Sequence, residues 1–246
     1  MQNVECRSQR SEISNRKSKI SNSAMTRKES IRTKMRARRA FLTPQGIRQA
    51  SALIQRAVMK LPEWAAARRV CVYLALPSEA QTWALLKACW KTGKQVLVPA
   101  YRKTVRRYDL VRLRPEDSVK AGHCSVPEPT RPRWASPNWV LPLRVDLVVT
   151  PGLAFDRTGG RLGHGLGHYD RLLAGTALKQ AFKIGLALEC QVIARVPMNT
   201  RDIRLDAVVT ERAVYRTREA NIERPTSNAE RRMSENRKHM TEDERA

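Results

Sequence analysis

Short apolar runs recur along this chain with amphipathic stretches between them. Residues 69–75, 95–99, 145–150, 183–188 and 207–210 are rich in Val, Leu, Ile and Ala with few polar interruptions. Such runs suit strands covered on both faces. Between them the period changes. From 45 to 61, Ile47, Ala50, Ile54, Ala57, Val58 and Leu61 form a helical stripe, opened by the cap-and-start pair Thr43-Pro44. Residues 82–90 read as a second helix, stopped by Gly93, and 104–115 as an edge strand through Tyr108, Leu110, Val111 and Leu113. Residues 26–40 are densely basic and helix-compatible, with Ile31 and Met35 among their few apolar positions. Residues 116–142, rich in Pro, Trp and charge, read as a long loop, and no internal repeat is found. Strands alternating with helices predict an α/β fold: a three-layer αβα sandwich around a mostly parallel sheet.

Length and charge set the organisation. The 246 residues suit one core with tails: an extension over 1–24, a folded domain over 25–215, and a charged tail over 216–246 that is poor in apolar residues and expected to be disordered. The extension is Ser/Arg/Lys/Asn-rich and lacks the apolar stretch of a secretory signal. Disorder, or translation starting at Met25, is expected of it in preference to an organellar transit peptide. Formal net charge is +24, with five Lys/Arg against two acids in 1–24 and eight against seven in 216–246, leaving about +20 on the residues between. Such a surface attracts polyanions: nucleotides, polyglutamyl chains or nucleic acid. The five cysteines, Cys6, Cys71, Cys89, Cys124 and Cys190, form no C-x-x-C pair and are odd in number. That disfavours zinc sites and a disulfide framework and points to a reducing cytoplasm. No apolar run approaches a membrane span.

The chemistry concentrates in residues 159–171, Gly-Gly-Arg-Leu-Gly-His-Gly-Leu-Gly-His-Tyr-Asp-Arg, which hold five of the chain's eleven glycines. The segment follows a predicted strand and precedes a helix-like run over 169–174. Gly163, Gly165 and Gly167 alternate, so the backbone can bend sharply and approach a ligand closely. Backbone amides at the start of a helix make an anion cradle, most often for phosphate. The spacing matches neither Walker A nor the dinucleotide fingerprint. The plain alternative is a tight turn.

The order of these features resembles the 5-formyltetrahydrofolate cyclo-ligase (5,10-methenyltetrahydrofolate synthetase) family. Pro151-Gly-Leu-Ala-Phe-Asp156, a glycine at 159 or 160, then Arg161-Leu-Gly-His-Gly-Leu-Gly-His-Tyr-Asp-Arg171 is similar to its central signature. Around it, in order, stand Lys28-x-x-x-Arg32, Ser78-Glu79-Ala-Gln-Thr82, Gly93-Lys94-x-Val-x-x-Pro99, Glu128-Pro129, Cys190-Gln191, Val196-Pro197, Asp202 and Asp206-x-Val-Val-Thr210. The resemblance covers about residues 26–212. It is broken at Leu166, where the family has a small or basic residue, and at His168, where it has Tyr or Phe.

The resemblance implies a fold like that of NagB, RpiA and the CoA transferases. It also implies ATP-driven closure of 5-formyltetrahydrofolate to 5,10-methenyltetrahydrofolate, with release of ADP and phosphate. A formamide oxygen is a poor leaving group; phosphorylating it activates the carbon for attack by N10, and the protein's work is alignment and charge stabilisation. By the same resemblance, ATP would be held by Lys28, Arg32, Arg161, Leu162, Gly163, His164, Gly165, Leu166, Gly167, His168 and Tyr169. The folate, with or without a polyglutamyl chain, would meet Leu74, Glu79, His164, Gly165, Leu166, Gly167 and His168. Mg²⁺ would sit on Asp170 and Asp202, hard oxygen donors suited to it. No catalytic general base is assigned. Each residue has a plainer reading. Lys28 and Arg32 suit a solvated basic face, Asp170 a helix-dipole partner, Asp202 a loop carboxylate, Glu79 a helix start, and Leu74 the core. Trp134 and Trp139 would cover the site or pack the loop. The expected enzyme is a cytoplasmic monomer with neither a membrane nor a specific nucleic-acid partner. Two other classes compete: a basic nucleic-acid-binding protein, which lacks the aromatic-rich strands such readers use, and a phosphosugar isomerase or acyl-CoA transferase of related fold, which needs a poised carboxylate.

Overall fold

The computed structural model describes residues 27–131 and 144–217. A helix α1 over 27–40 is followed by α2 (Pro44–Met59), α3 (Pro62–Ala66), β1 (Arg69–Val72), α4 (Trp83–Lys91), β2 (Gln95–Arg102) and β3 (Arg107–Arg112). A short ladder of β4 (Val119–Ala121) and β5 (Pro127–Pro129) precedes β6 (Leu147–Thr150), β7 (Ala154–Asp156), β8 (Arg161–Leu162) and α5 (His168–Ala174). The chain then forms β9 (Phe182–Leu186), β10 (Val192–Ile193), β11 (Ala207–Val209) and β12 (Val214–Arg216).

The principal sheet has seven strands in the order β12-β11-β9-β6-β1-β2-β3. The five inner strands run parallel, and β12 and β3 close the edges antiparallel. Side chains of successive strand residues point to opposite faces. Val70, Val72, Val96, Val98, Leu147, Val149, Ala207 and Val209 join α2 and α4 in one core. Cys71, Leu97, Val148 and Val208, from the same strands, join Leu173 of α5 and Leu178 in the other. These are the three expected layers, and they explain why the strands read as unbroken apolar runs.

The helix boundaries follow local chemistry. Thr43 caps α2 by accepting from the Gly46 amide at 3.0 Å, with Pro44 at the first helical position. Helix α4 has no such cap of its own; Gln55 of α2 reaches across and accepts from the Ala84 and Leu85 amides at 2.9 and 3.2 Å.

The chain departs from the expected pattern in three places. The segment 116–142 is not all loop, since β4 and β5 pair within it and a 3-10 turn spans His123–Ser125. Trp134 and Trp139 lie outside the described residues. The fold also runs slightly further than 215: Arg216 closes β12 and holds Glu63 through two bonds of 2.6 and 2.9 Å. The expectations for 1–24 and for 218–246 likewise fall outside the described residues.

A second, three-stranded sheet, β10-β7-β8, was not apparent in the sequence. Its Ala154 and Leu162 pack with Leu153, Val196 and with Met35 and Ile31 of α1. This minor core is what brings the basic helix beside the glycine segment.

Candidate active site

The glycine segment leaves β8 and enters α5 as an arch. Gly165 has φ +110 and Gly167, which caps α5, has φ +64. Both lie in the left-handed region that side chains disfavour. The arch is tied by polar contacts rather than apolar ones. Arg32 Nε donates to the Gly163 carbonyl at 3.0 Å, and Arg171 Nη2 donates to the Leu166 carbonyl at 2.9 Å. A Cβ added to Gly165 would stand 3.3 Å from the Arg32 guanidinium carbon. Upstream, Asp156 fixes the entry to β8: its carboxylate, 1 % exposed, accepts from the amides of Thr158, Gly160 and Val196 and from the Thr158 hydroxyl. Burial pushes its pKa up, but those four bonds outweigh it and hold the carboxyl below its ordinary value.

Two ion pairs flank the arch. Lys28 Nζ lies 2.6 Å from Asp202 Oδ2, and Arg161 Nη2 lies 2.8 Å from Asp170 Oδ1. The Arg161 side chain is 2 % exposed, packs 5.5 Å over the Tyr169 ring, and leaves its Nε buried with no hydrogen-bond partner among the described residues. The Ile203 amide approaches Asp170 Oδ1 at 3.4 Å, so the Asp202 segment and the start of α5 share one end of the site.

Opposite the arch, the turn after β1 carries Glu79. It is 7 % exposed, and its Oε2 accepts from the Leu76 amide at 3.0 Å. Arg39 of α1 holds the turn by donating to the Ser78 carbonyl through Nε and Nη2 at 3.0 and 2.6 Å. Burial raises the Glu79 pKa, against the opposing pull of the Leu76 amide and the Arg39 charge. The two histidines shift the other way. Crowding by the protein, then the charges of Arg39, Arg36, Arg32 and Arg161, lower the His164 pKa. Desolvation, then Arg171 and His123, lower that of His168.

Between these pieces lies a cleft of about 1260 Å³. The residues expected to bind ATP, folate or Mg²⁺ all line it: Lys28, Arg32, Leu74, Glu79, the whole run from Arg161 to Tyr169, Asp170 and Asp202. Leu162 faces the minor core at 3 % exposure, so only its backbone is free to meet a ligand. Leu74 is both core and lining, at 3 % exposure.

Sequence reasoning missed an aromatic corner. Tyr101 of β2 and His123 stack at 3.7 Å with planes 10° apart. His168 meets Tyr108 edge-on at 5.2 Å and Tyr101 at 5.8 Å. The β4–β5 ladder that delivers His123 is anchored by Glu128, whose Oε1 accepts from the Tyr101 amide at 3.1 Å. In the sequence Glu128 stands out only as part of the Glu128-Pro129 motif; no local pattern predicts the stack itself.

Residues 24–211 match the 5-formyltetrahydrofolate cyclo-ligase family. The chain belongs to that family. It is 32% identical over 181 residues to the 5-formyltetrahydrofolate cyclo-ligase of Haemophilus influenzae, covering 73% of this chain and 95% of that protein. It is 31% identical over 183 residues to the enzyme of the same name from Escherichia coli strain K12, covering 74% and 98%. In three dimensions it resembles the NMR structure of the 5,10-methenyltetrahydrofolate synthetase of Aquifex aeolicus, with TM-score 0.65, 29% identity, and coverage of 82% of this chain and 98% of that one. The family's reaction is ATP-dependent cyclisation, so the chain is a ligase. No helix among the described residues is long and apolar enough to cross a membrane.

Proposed function

We propose that this chain closes 5-formyltetrahydrofolate to 5,10-methenyltetrahydrofolate at the expense of ATP, inside the cleft between the glycine arch and the Glu79 turn. The observation that carries this reading is the convergence of α1, the arch, the Glu79 turn and the Asp202 segment on one cavity.

The ATP phosphates lie along residues 163–168, with Arg32 and Lys28 on one side and Arg161 behind. Arg32 already grips the arch, so its guanidinium is preorganised for an anion there. The folate's pterin lies toward Glu79, whose carboxyl is positioned to accept pterin N–H bonds, with Leu74 beneath and His168 at the edge. This geometry lines the formyl oxygen up with the γ-phosphoryl group, and transfer turns the oxygen into a phosphate leaving group. N10 attacks the activated carbon, its N–H proton leaves with the phosphate as the C–O bond breaks, and phosphate and ADP depart.

The residues fit Mg²⁺. Asp170 and Asp202 are hard donors at one end of the cleft, and each spends one oxygen on a cationic side chain. Among the described residues no cluster of three or more His, Cys, Asp or Glu is arranged to hold a metal. Two carboxylates plus substrate phosphates are the donor set Mg²⁺ ordinarily takes. When bound there, the ion would offset phosphate charge, while Lys28 and Arg161 would exchange their carboxylate partners for phosphate oxygens.

The test is direct. Purified protein with Mg-ATP and 5-formyltetrahydrofolate develops the near-ultraviolet absorbance of the methenyl product. Absence of that signal at every pH from about 6 to 8 refutes the reading.

A further inference from the structure

Helix α1 has two charged stripes. Lys28 and Arg32 face the cleft and Arg39 continues their stripe to the Ser78 carbonyl, whereas Arg27, Lys34 and Arg38 lie on the neighbouring stripe. That second stripe borders a separate groove of about 340 Å³, walled on its far side by Ile193, Ala194 and Arg195. Four cations line it, with no acidic residue among the lining. Arg27, Lys34, Arg38 and Arg195 are exposed and have no ion pair among the described residues. The other cations of α1 have partners: Glu29 pairs with Arg32 and Arg36, Asp202 pairs with Lys28, and Arg39 donates to the Ser78 carbonyl.

We propose that this groove is a second binding site, which takes the phosphate backbone of a single-stranded nucleic acid without reading its sequence. Of the groove's apolar residues Met35 is 3 % exposed and Ile31 and Ile193 are half-buried against the minor core, so a partner helix would gain little from burying them. What the groove offers is charge, three parts guanidinium to one part ammonium, and guanidinium forks suit phosphate. Arg27 and Arg38 are about 16 Å apart along the helix axis, the length of about five nucleotides at ~3.4 Å each. Three residues past Arg38, just beyond the end of α1, Phe41 is 87 % exposed, a ring on which a base can stack. The groove holds no Asn, Gln or acidic side chain, and cations engaged on phosphates carry no sequence information, so binding is expected to be indifferent to sequence. The inference is independent of the reaction assigned to the cleft.

The experiment uses the full chain and a fluorescein-labelled 20-nucleotide oligouridylate, followed by anisotropy from about 50 to 300 mM salt with saturating Mg-ATP present. Four phosphate contacts give a slope of log K against log salt of about −3, and removing three of them in R27Q/K34Q/R38Q reduces the slope by about 2. That triple variant keeps wild-type affinity for ATP, because none of its three positions lines the cleft. F41A weakens binding about tenfold without changing the slope. The control K60Q/K87Q/K91Q removes equal charge from another exposed surface and leaves binding within about twofold. The proposal is overturned if both triple variants lose affinity equally, because diffuse charge would then suffice. It is also overturned if ATP displaces the oligonucleotide, which would put the strand in the cleft. Equal binding to vesicles of anionic phospholipid, abolished by the same variant, would assign the groove to a membrane surface and overturn it as well.

Discussion

The principal sheet and the glycine arch are made by opposite means. In the sheet, Val70, Val72, Leu147, Val149, Ile184 and Ala207 are wholly buried, and their neighbours fill two apolar layers. In the arch, Gly163 to Gly167 have little to bury, and guanidinium groups hold the backbone at carbonyl oxygens. The sheet owes its stability to area, at roughly 1.5–3 kcal/mol for each fully buried Val, Leu or Ile. The arch depends on backbone conformations that only glycine adopts cheaply, and on charges that a ligand can redirect. On the proposed function, stability and activity rest on different residues, and they should separate under mutation.

The widest separation is expected at Gly165. A Gly165→Val substitution places a branched side chain at φ +110 against Arg32. Turnover should fall by about 10²-fold or more, since even ~1 Å of misplacement has that effect. The arch is exposed, so thermal unfolding should move by only a few degrees. Leu86→Ala is the mirror image. It empties a wholly buried position in α4, should lower the unfolding free energy by about 2–5 kcal/mol, and should leave kcat per folded molecule unchanged. Denaturant titration together with the absorbance assay checks both. A G165V protein as active as wild type, or an L86A protein as stable, breaks the contrast.

Much of this contrast could be read from the sequence, and the physical reason is scale. The inner strands could be read because burial on both faces leaves an unbroken apolar run, as in 145–150. The arch could be read because closely spaced glycines carry a backbone meaning of their own. Strands β7, β8 and β10 could not, since two or three residues carry no period. The structural work of Asp156 was hidden too: its four donors come from positions as distant as Val196. The Tyr101–His123 stack joins residues that only the β4–β5 ladder brings together. In each case the missing information was long-range pairing.

Glu79 sharpens the contrast because it lies on the boundary between core and cleft. Its pKa is raised, so the folded protein holds the proton more tightly than the unfolded chain does. The stability it contributes is present below the ordinary value of 4.5 and is lost as pH rises through the raised one. Glu79→Gln should therefore be more stable than wild type at pH 7, with the advantage vanishing below about pH 4. Its KM for the folate should rise sharply while that for ATP is little changed. Equal stability of the two proteins across that range would show that the carboxylate is adequately solvated.

The smallest expected effect is at His168, whose ring is edge-on to Tyr108 and receives a hydrogen bond from Arg171 at 3.0 Å. His168→Tyr offers a larger face to the pterin and should lower the folate KM by about 2–10-fold, the value of one aromatic contact. A higher KM would mean that the imidazole and its Arg171 partner are matched to this cleft.

The most direct test of the whole account is a crystal structure with ADP and Mg²⁺ bound. The account predicts the diphosphate on the amides of residues 163–168, within reach of Lys28 and Arg32, with the metal between it and Asp170 or Asp202. A nucleotide seated elsewhere, with the arch bare and both ion pairs intact, would contradict it.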